Sequence, residues 1–137
     1  MRLKLLFHGN YEILGVMNGD ECEAENFLRD GEATTQSSRE GLASILQYIA
    51  DNGLQNTPSA WVHEANKREK IYEFIKGDLR LFFFKGNGNR IAVCTAGVLK
   101  KGGKANKAAV AKATEFKDEY IAAVAAQTIE VIEDEDE

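Results

Sequence analysis

The sequence predicts an α+β fold: an N-terminal hairpin and two helices, then a three-strand antiparallel meander and a C-terminal helix. Three observations carry that reading. Apolar runs of strand length, separated by glycine and asparagine turns, fill 2–16 and 71–99. Apolar residues at helical spacing fill 34–53 and 105–127. Strands and helices are segregated along the chain, and its 137 residues are 44% hydrophobic with one proline. That is the size and make-up of a single domain with an ordinary core, and it excludes collagen-like, proline-rich and wholly disordered chains.

Each element has its own signal. "RLKLLFH" (2–8) is short, apolar and partly alternating, and "YEILGV" (11–16) pairs with it across Gly9-Asn10. Residues 19–31 read as a short helix with Asp20 as N-cap, acidic residues in the first turn and Gly31 as its stop. Residues 34–53 are the clearer helix: Leu42, Ile45, Leu46 and Ile49 recur on one face, and Asn52-Gly53 ends it. Residues 54–66 hold the proline and read as a connection with one short turn.

The meander is "IYEFI" (71–75), a Gly77-Asp78 turn, "LRLFFFK" (79–85), a "GNGN" turn (86–89) and "RIAVCTAGVL" (90–99). "KKGGK" then breaks the pattern before an alanine-rich helix, 105–127, whose apolar face is Val110, Ala113, Phe116, Tyr120, Ile121 and Val124, interrupted by Lys117. Residues 1–128 are expected to form the domain and 129–137 an acidic tail.

Composition bounds the chemistry. Two cysteines, Cys22 and Cys94, and two histidines, His8 and His63, exclude a disulfide scaffold and leave little material for a metal centre. No metal or other cofactor is expected. No apolar run reaches membrane length, and free thiols with no export signal point to the cytoplasm. The net charge of −5 averages three unlike segments: residues 1–66 carry −6, 67–117 carry +9 and 118–137 carry −8. The middle segment is an electrostatic footprint for polyanions, or else an ordinary solvated surface. The acidic end is a solvating tail, or a cover for the basic segment in cis.

The stretch 71–120 resembles the phage-derived, HigB-like branch of the RelE/ParE toxin superfamily. The residues that carry the resemblance come in order: Tyr72-Glu73, Arg80 before "LFFF", "GNGN", "IAVCTAGVL", Lys100-Lys101, and a lysine- and alanine-rich helix ending near Tyr120. They cover about 50 residues of the chain. The resemblance implies a RelE-like fold, with two helices before an antiparallel meander and one after it. It implies the toxin component of a type II toxin–antitoxin pair, a metal-independent endoribonuclease cutting messenger RNA at the ribosome. It also implies a cognate antitoxin with a helix-turn-helix domain. A second function fits the same scaffold, a catalytically inactive binding or regulatory module of phage origin. Gyrase poisoning, as in the ParE branch, is a third.

The implied reaction sends a ribose 2′-OH onto the adjacent phosphorus and expels a 5′-OH. It needs a base, positive charge at the phosphorane and a proton for the leaving oxygen. Arg80 is the candidate clamp, since its planar fork matches two phosphate oxygens. Alternation puts it on one strand face with Phe82 and Phe84; otherwise the phenylalanines are core and Arg80 pairs with Glu73 or Asp78. Lys100 and Lys101 are candidates beside a glycine turn and a helix start, with Lys104 and Lys107 adding charge. Tyr120 is the candidate acid, base or stacking group, or else an amphipathic core tyrosine. Lys76, Lys85 and Arg90 complete the candidate RNA-binding set. His63, of a residue type that can exchange protons near neutrality, lies just before the basic segment, or else is a surface or capping histidine. His8 reads as structural, Trp61 as a core or interface anchor, and Cys94 as small apolar filler.

Overall fold

The structure is a computed structural model and describes residues 1–100 and 107–133. The hairpin forms as expected: β1 (Arg2–His8) pairs antiparallel with β2 (Glu12–Asn18). Residues 21–22 differ from expectation. Glu21 and Cys22 form a short strand, β3, folding back on Asn18 and Met17, because Gly19 at φ +63° reverses the chain there. Helix α1 therefore starts only at Glu23 and runs to Arg29. Its N-cap is Cys22 instead of Asp20 and makes no side-chain capping bond.

Helix α2 (Gln36–Asn52) matches its prediction, and Gly53 closes it at φ +89°, a conformation that side-chain-bearing residues resist. The connection after it holds an unpredicted strand, β4 (Val62–Asn66), paired antiparallel with β5 (Ile71–Lys76). Then come β6 (Leu79–Phe84), β7 (Arg90–Leu99), α3 (Lys107–Ala126) and β8 (Glu130–Ile132). The last lies inside the segment expected to be an acidic tail, and it pairs parallel with β1.

The strands form one mixed sheet in the order β4-β5-β6-β7-β2-β1-β8, with β3 attached to β2. The fold is thus α+β, but the sheet is not purely antiparallel, since β2 runs parallel to β7 and β8 to β1. Both faces are covered. Ile13, Leu79, Leu81, Phe83 and Cys94 meet Leu42, Leu46 and Ile49 of α2 and Ala24 of α1. Leu14, Phe82, Phe84, Val93 and Ala96 meet Ala109, Ala113 and Tyr120 of α3.

Burial on both sides is why "LRLFFF" is nearly all apolar. The rings of Phe74 and Phe83 stack with centroids 3.9 Å apart beneath α2. On that side the Phe27 ring of α1 occupies the space a side chain at Gly97 would need. On α3, Ile121 is 55% exposed and so lies off the predicted apolar face. Lys117 reaches the Glu69 carbonyl, donating at 2.6 Å. Among the described residues no helix is long and apolar enough to cross a membrane.

Candidate functional site

The register of β4 to β7 settles which polar residues share a face. Arg80 sits opposite Val98 and Ile75, and Glu73 opposite Phe82. Phe82 and Val98 belong to the α3 side, so Arg80 and Glu73 point that way too. Beyond Leu99 the ladder runs one step further, the Lys100 N–H donating to the Asp78 carbonyl at 2.7 Å. Two-residue alternation from Val98 then puts Lys100 on the same face. His63 of β4 lies directly opposite Glu73 of β5. A row crossing four strands results: His63, Glu73, Arg80 and Lys100. Facing neighbours in such a row have Cβ atoms about 4.5–5.5 Å apart, and diagonal ones stand about 7–8 Å apart.

Within the row, Glu73 is buried and Arg80 half-buried. The Arg80 Nε lies 3.8 Å from Glu73 Oε1, an ion pair without a hydrogen bond. The Arg80 Nη1 donates to the carbonyls of Gly77 at 2.6 Å and Leu79 at 3.0 Å. Arg80 Nε and Glu73 Oε2 are buried atoms with no hydrogen-bond partner. A buried carboxylate oxygen left in that state costs free energy that a local partner would recover. His63 is exposed, and Lys107, the first residue of α3, lines a groove with Ala65 and Asn66 at the next positions of β4.

Tyr120 lies elsewhere. It is buried over Phe84, with ring centroids 5.4 Å apart; its hydroxyl donates to the Asn87 side chain and accepts from the Asn87 N–H at 3.3 Å. Arg80 and Phe84 are four residues apart on β6, about 13 Å at strand rise. The structure does not bring Arg80 and Tyr120 together. The expectation that Arg80, the lysines and Tyr120 converge on one pocket is thus corrected: a tyrosine whose body packs under α3 and whose hydroxyl is claimed by a loop cannot also face Arg80.

The RNA-binding candidates divide in the same way. Lys85 is at the Phe84 end, its Nζ 4.9 Å from the Tyr72 ring centroid, and Arg90 is there too, its Nε 4.0 Å from Glu12. The alkyl chain of Lys76 lies along Gly41 of α2, on the opposite face of the sheet. Lys107 is near the row. Lys101 and Lys104 lie outside the described residues. The cysteines offer no nucleophile: burial pushes the Cys94 thiol far up, with the nearby Cys22 adding to it, and burial raises Cys22 as well. Among the described residues no group of three or more acidic, histidine or cysteine side chains is placed to hold a metal ion.

The position of His63 opposite Glu73 was not legible in the sequence because β4 was not. Its hairpin turns through "KREK", without the glycine or proline that marks such turns. Asn66 instead accepts from the Glu69 N–H at 2.9 Å, and Lys70 takes a left-handed φ of +57°. The available signal was slight: Val62 packs inward and His63 outward, but "VHEAN" does not alternate beyond them. Compared with protein-family models and with curated proteins, the chain matches none.

Proposed function

We propose that this chain is a RelE-like, toxin-type endoribonuclease that acts on messenger RNA without a metal, at the ribosome in the cytoplasm, and is held in check by a helix-turn-helix antitoxin. The observation that supports it is the shared face and sheet end of Arg80 and Lys100, the two residues of the toxin-like pattern whose charge the reaction needs most. A guanidinium and an ammonium from diagonal positions of neighbouring strands suit one phosphodiester between them, where they would stabilise the charge that builds on its oxygens in the phosphorane. The order of elements, two helices before a meander and one after it, agrees with this reading.

The inactive binding module is favoured by a different observation. The Arg80 Nη1 is engaged by two backbone carbonyls and its Nε faces Glu73, so part of the fork is turned inward. RNA has to meet the remaining edge of the guanidinium, or draw it away from Glu73.

One experiment separates the two. Purified protein is mixed with translating ribosomes and a defined message, and the 3′ ends are mapped. The nuclease reading expects cuts leaving 2′,3′-cyclic phosphates. It expects Arg80→Ala to slow them about 10²–10³-fold, as loss of one transition-state donor does elsewhere. Intact message with wild-type protein, together with stable RNA or protein binding, leaves the binding module.

A further inference from the structure

With Tyr120 held at the Phe84 end, the reaction lacks its expected group to take the 2′-OH proton, and the row itself contains one. Glu73 is 95% buried and carries an oxygen with no hydrogen-bond partner. His63 faces it directly across β4 and β5, on the same side of the sheet as Arg80 and Lys100. A carboxylate on one nitrogen of an imidazole fixes the tautomer and leaves the other nitrogen free to take a proton. β4 is the outermost strand of the sheet, so the ring is open to solvent and to a bound chain on its free side.

We propose that His63 is the catalytic base of this site and that Glu73 is the positioning residue that orients it, a role that rests on the ribonuclease reading above. The neutral imidazole of His63 removes the proton of the ribose 2′-OH. The O2′ electron pair forms the new bond to phosphorus, and Arg80 holds the charged oxygens. The P–O5′ bond breaks, and its electron pair takes a proton from the Lys100 ammonium. The products are a 2′,3′-cyclic phosphate and a 5′-OH. The proton on His63 and the one missing from Lys100 then re-equilibrate through water, so the protein ends as it began. No oxidant or metal enters the balance.

The charged groups on the face that His63 shares are Glu73, directly opposite it on β5, and Arg80, diagonally beyond on β6. Lys107 of α3 lines the groove beside Ala65 and Asn66, further along β4.

The test is the pH dependence of kcat/KM for the wild type, His63→Gln and Glu73→Gln on the same message, with folding checked by thermal melts. His63→Gln is expected to lose about a hundred-fold or more of the rate, the usual share of a general base, and to abolish the acid limb of the profile. Glu73→Gln is expected to lower kcat and leave KM near the wild-type value, because the ring loses its orienting carboxylate; a purely structural role for Glu73 would lower the melting temperature and leave kcat in place. His8→Gln is the control, since His8 is exposed at the end of β1, away from the row. If wild type cuts RNA and folded His63→Gln cuts within about three-fold of it, with the acid limb intact, the inference is overturned and the ribonuclease reading stands. If wild type does not cut RNA at all, both fall.

Discussion

The two ends of β6 make opposite use of the same materials. At the Phe84 end α3 closes over the sheet, and the polar groups are consumed. Tyr120 is bonded to Asn87, Gly86 is hemmed in by Arg90 and Tyr120, and the Lys85 ammonium rests over Tyr72. At the Arg80 end a buried carboxylate keeps an unbonded oxygen, an arginine Nε has no hydrogen bond, and exposed Asp78 and half-buried Lys100 flank them. Saturated polar groups stabilise a fold. Unsaturated ones are a cost that folds keep where another group is meant to arrive. The aromatic end of this strand is architecture, and the charged end is where the proposed chemistry sits.

The largest effect expected is at the structural centre between these ends. Phe83→Ala removes a ring stacked on Phe74 and should cost about 3–5 kcal/mol, read by urea unfolding. A loss under about 1 kcal/mol would mean the α2 layer is not the core it is described as. Next comes the charged end. Arg80→Ala leaves Glu73 buried without its cation and should cost about 2 kcal/mol. The double change Arg80→Ala with Glu73→Gln should recover most of that, because the stranded charge is gone. If the double variant is no more stable than the single one, Glu73 is not held by Arg80, and the contrast between the two ends loses its energetic basis.

A smaller effect concerns the opposite face. The Cys94 thiol is fully buried, and burial keeps it protonated well above its ordinary value of 9.0. The unfolded chain ionises this thiol above about pH 9 while the folded chain does not, so its contribution to stability is full below that pH and is lost as pH rises. The wild type should therefore lose stability faster than Cys94→Ala above pH 9, by up to about 1.4 kcal/mol per pH unit. Parallel alkaline limbs for the two proteins would show that the thiol meets solvent.

The strands and helices that bury a periodic apolar set were legible in the sequence, since 2-residue and 3.6-residue periods state which face is buried. α2 ended at the glycine that marks it, and the faces of β6 came out as alternation required. The missed elements, β3, β4 and β8, are short, and β4 and β8 lie at the two edges of the sheet. Such strands are held by pairing with a neighbour, which a single sequence does not display. "EVI" in an acidic run becomes β8 only because β1 offers it a free edge. The placement of the candidate residues divides for the same reason. Arg80 and Lys100 lie on neighbouring strands joined by a short turn, so their closeness follows from local spacing. Tyr120 is placed by how α3 crosses the sheet, and His63 by a hairpin lacking turn glycines. Both are long-range facts.

The smallest predicted effect divides the two ends most sharply. Tyr120→Phe keeps the ring over Phe84 and removes only the hydroxyl that Asn87 engages. One net hydrogen bond is worth about 0.5–1.5 kcal/mol, and the Asn87 groups it leaves belong to a residue that reaches water, so the loss should fall near the lower bound. Because Tyr120 packs on Phe84, about 13 Å along the strand from Arg80, cleavage of RNA by the folded variant should match the wild type within experimental scatter. A folded Tyr120→Phe that melts like the wild type yet cuts RNA tens of times more slowly would place the phenol back in the reaction. The two ends of β6 would then have to be treated as a single site.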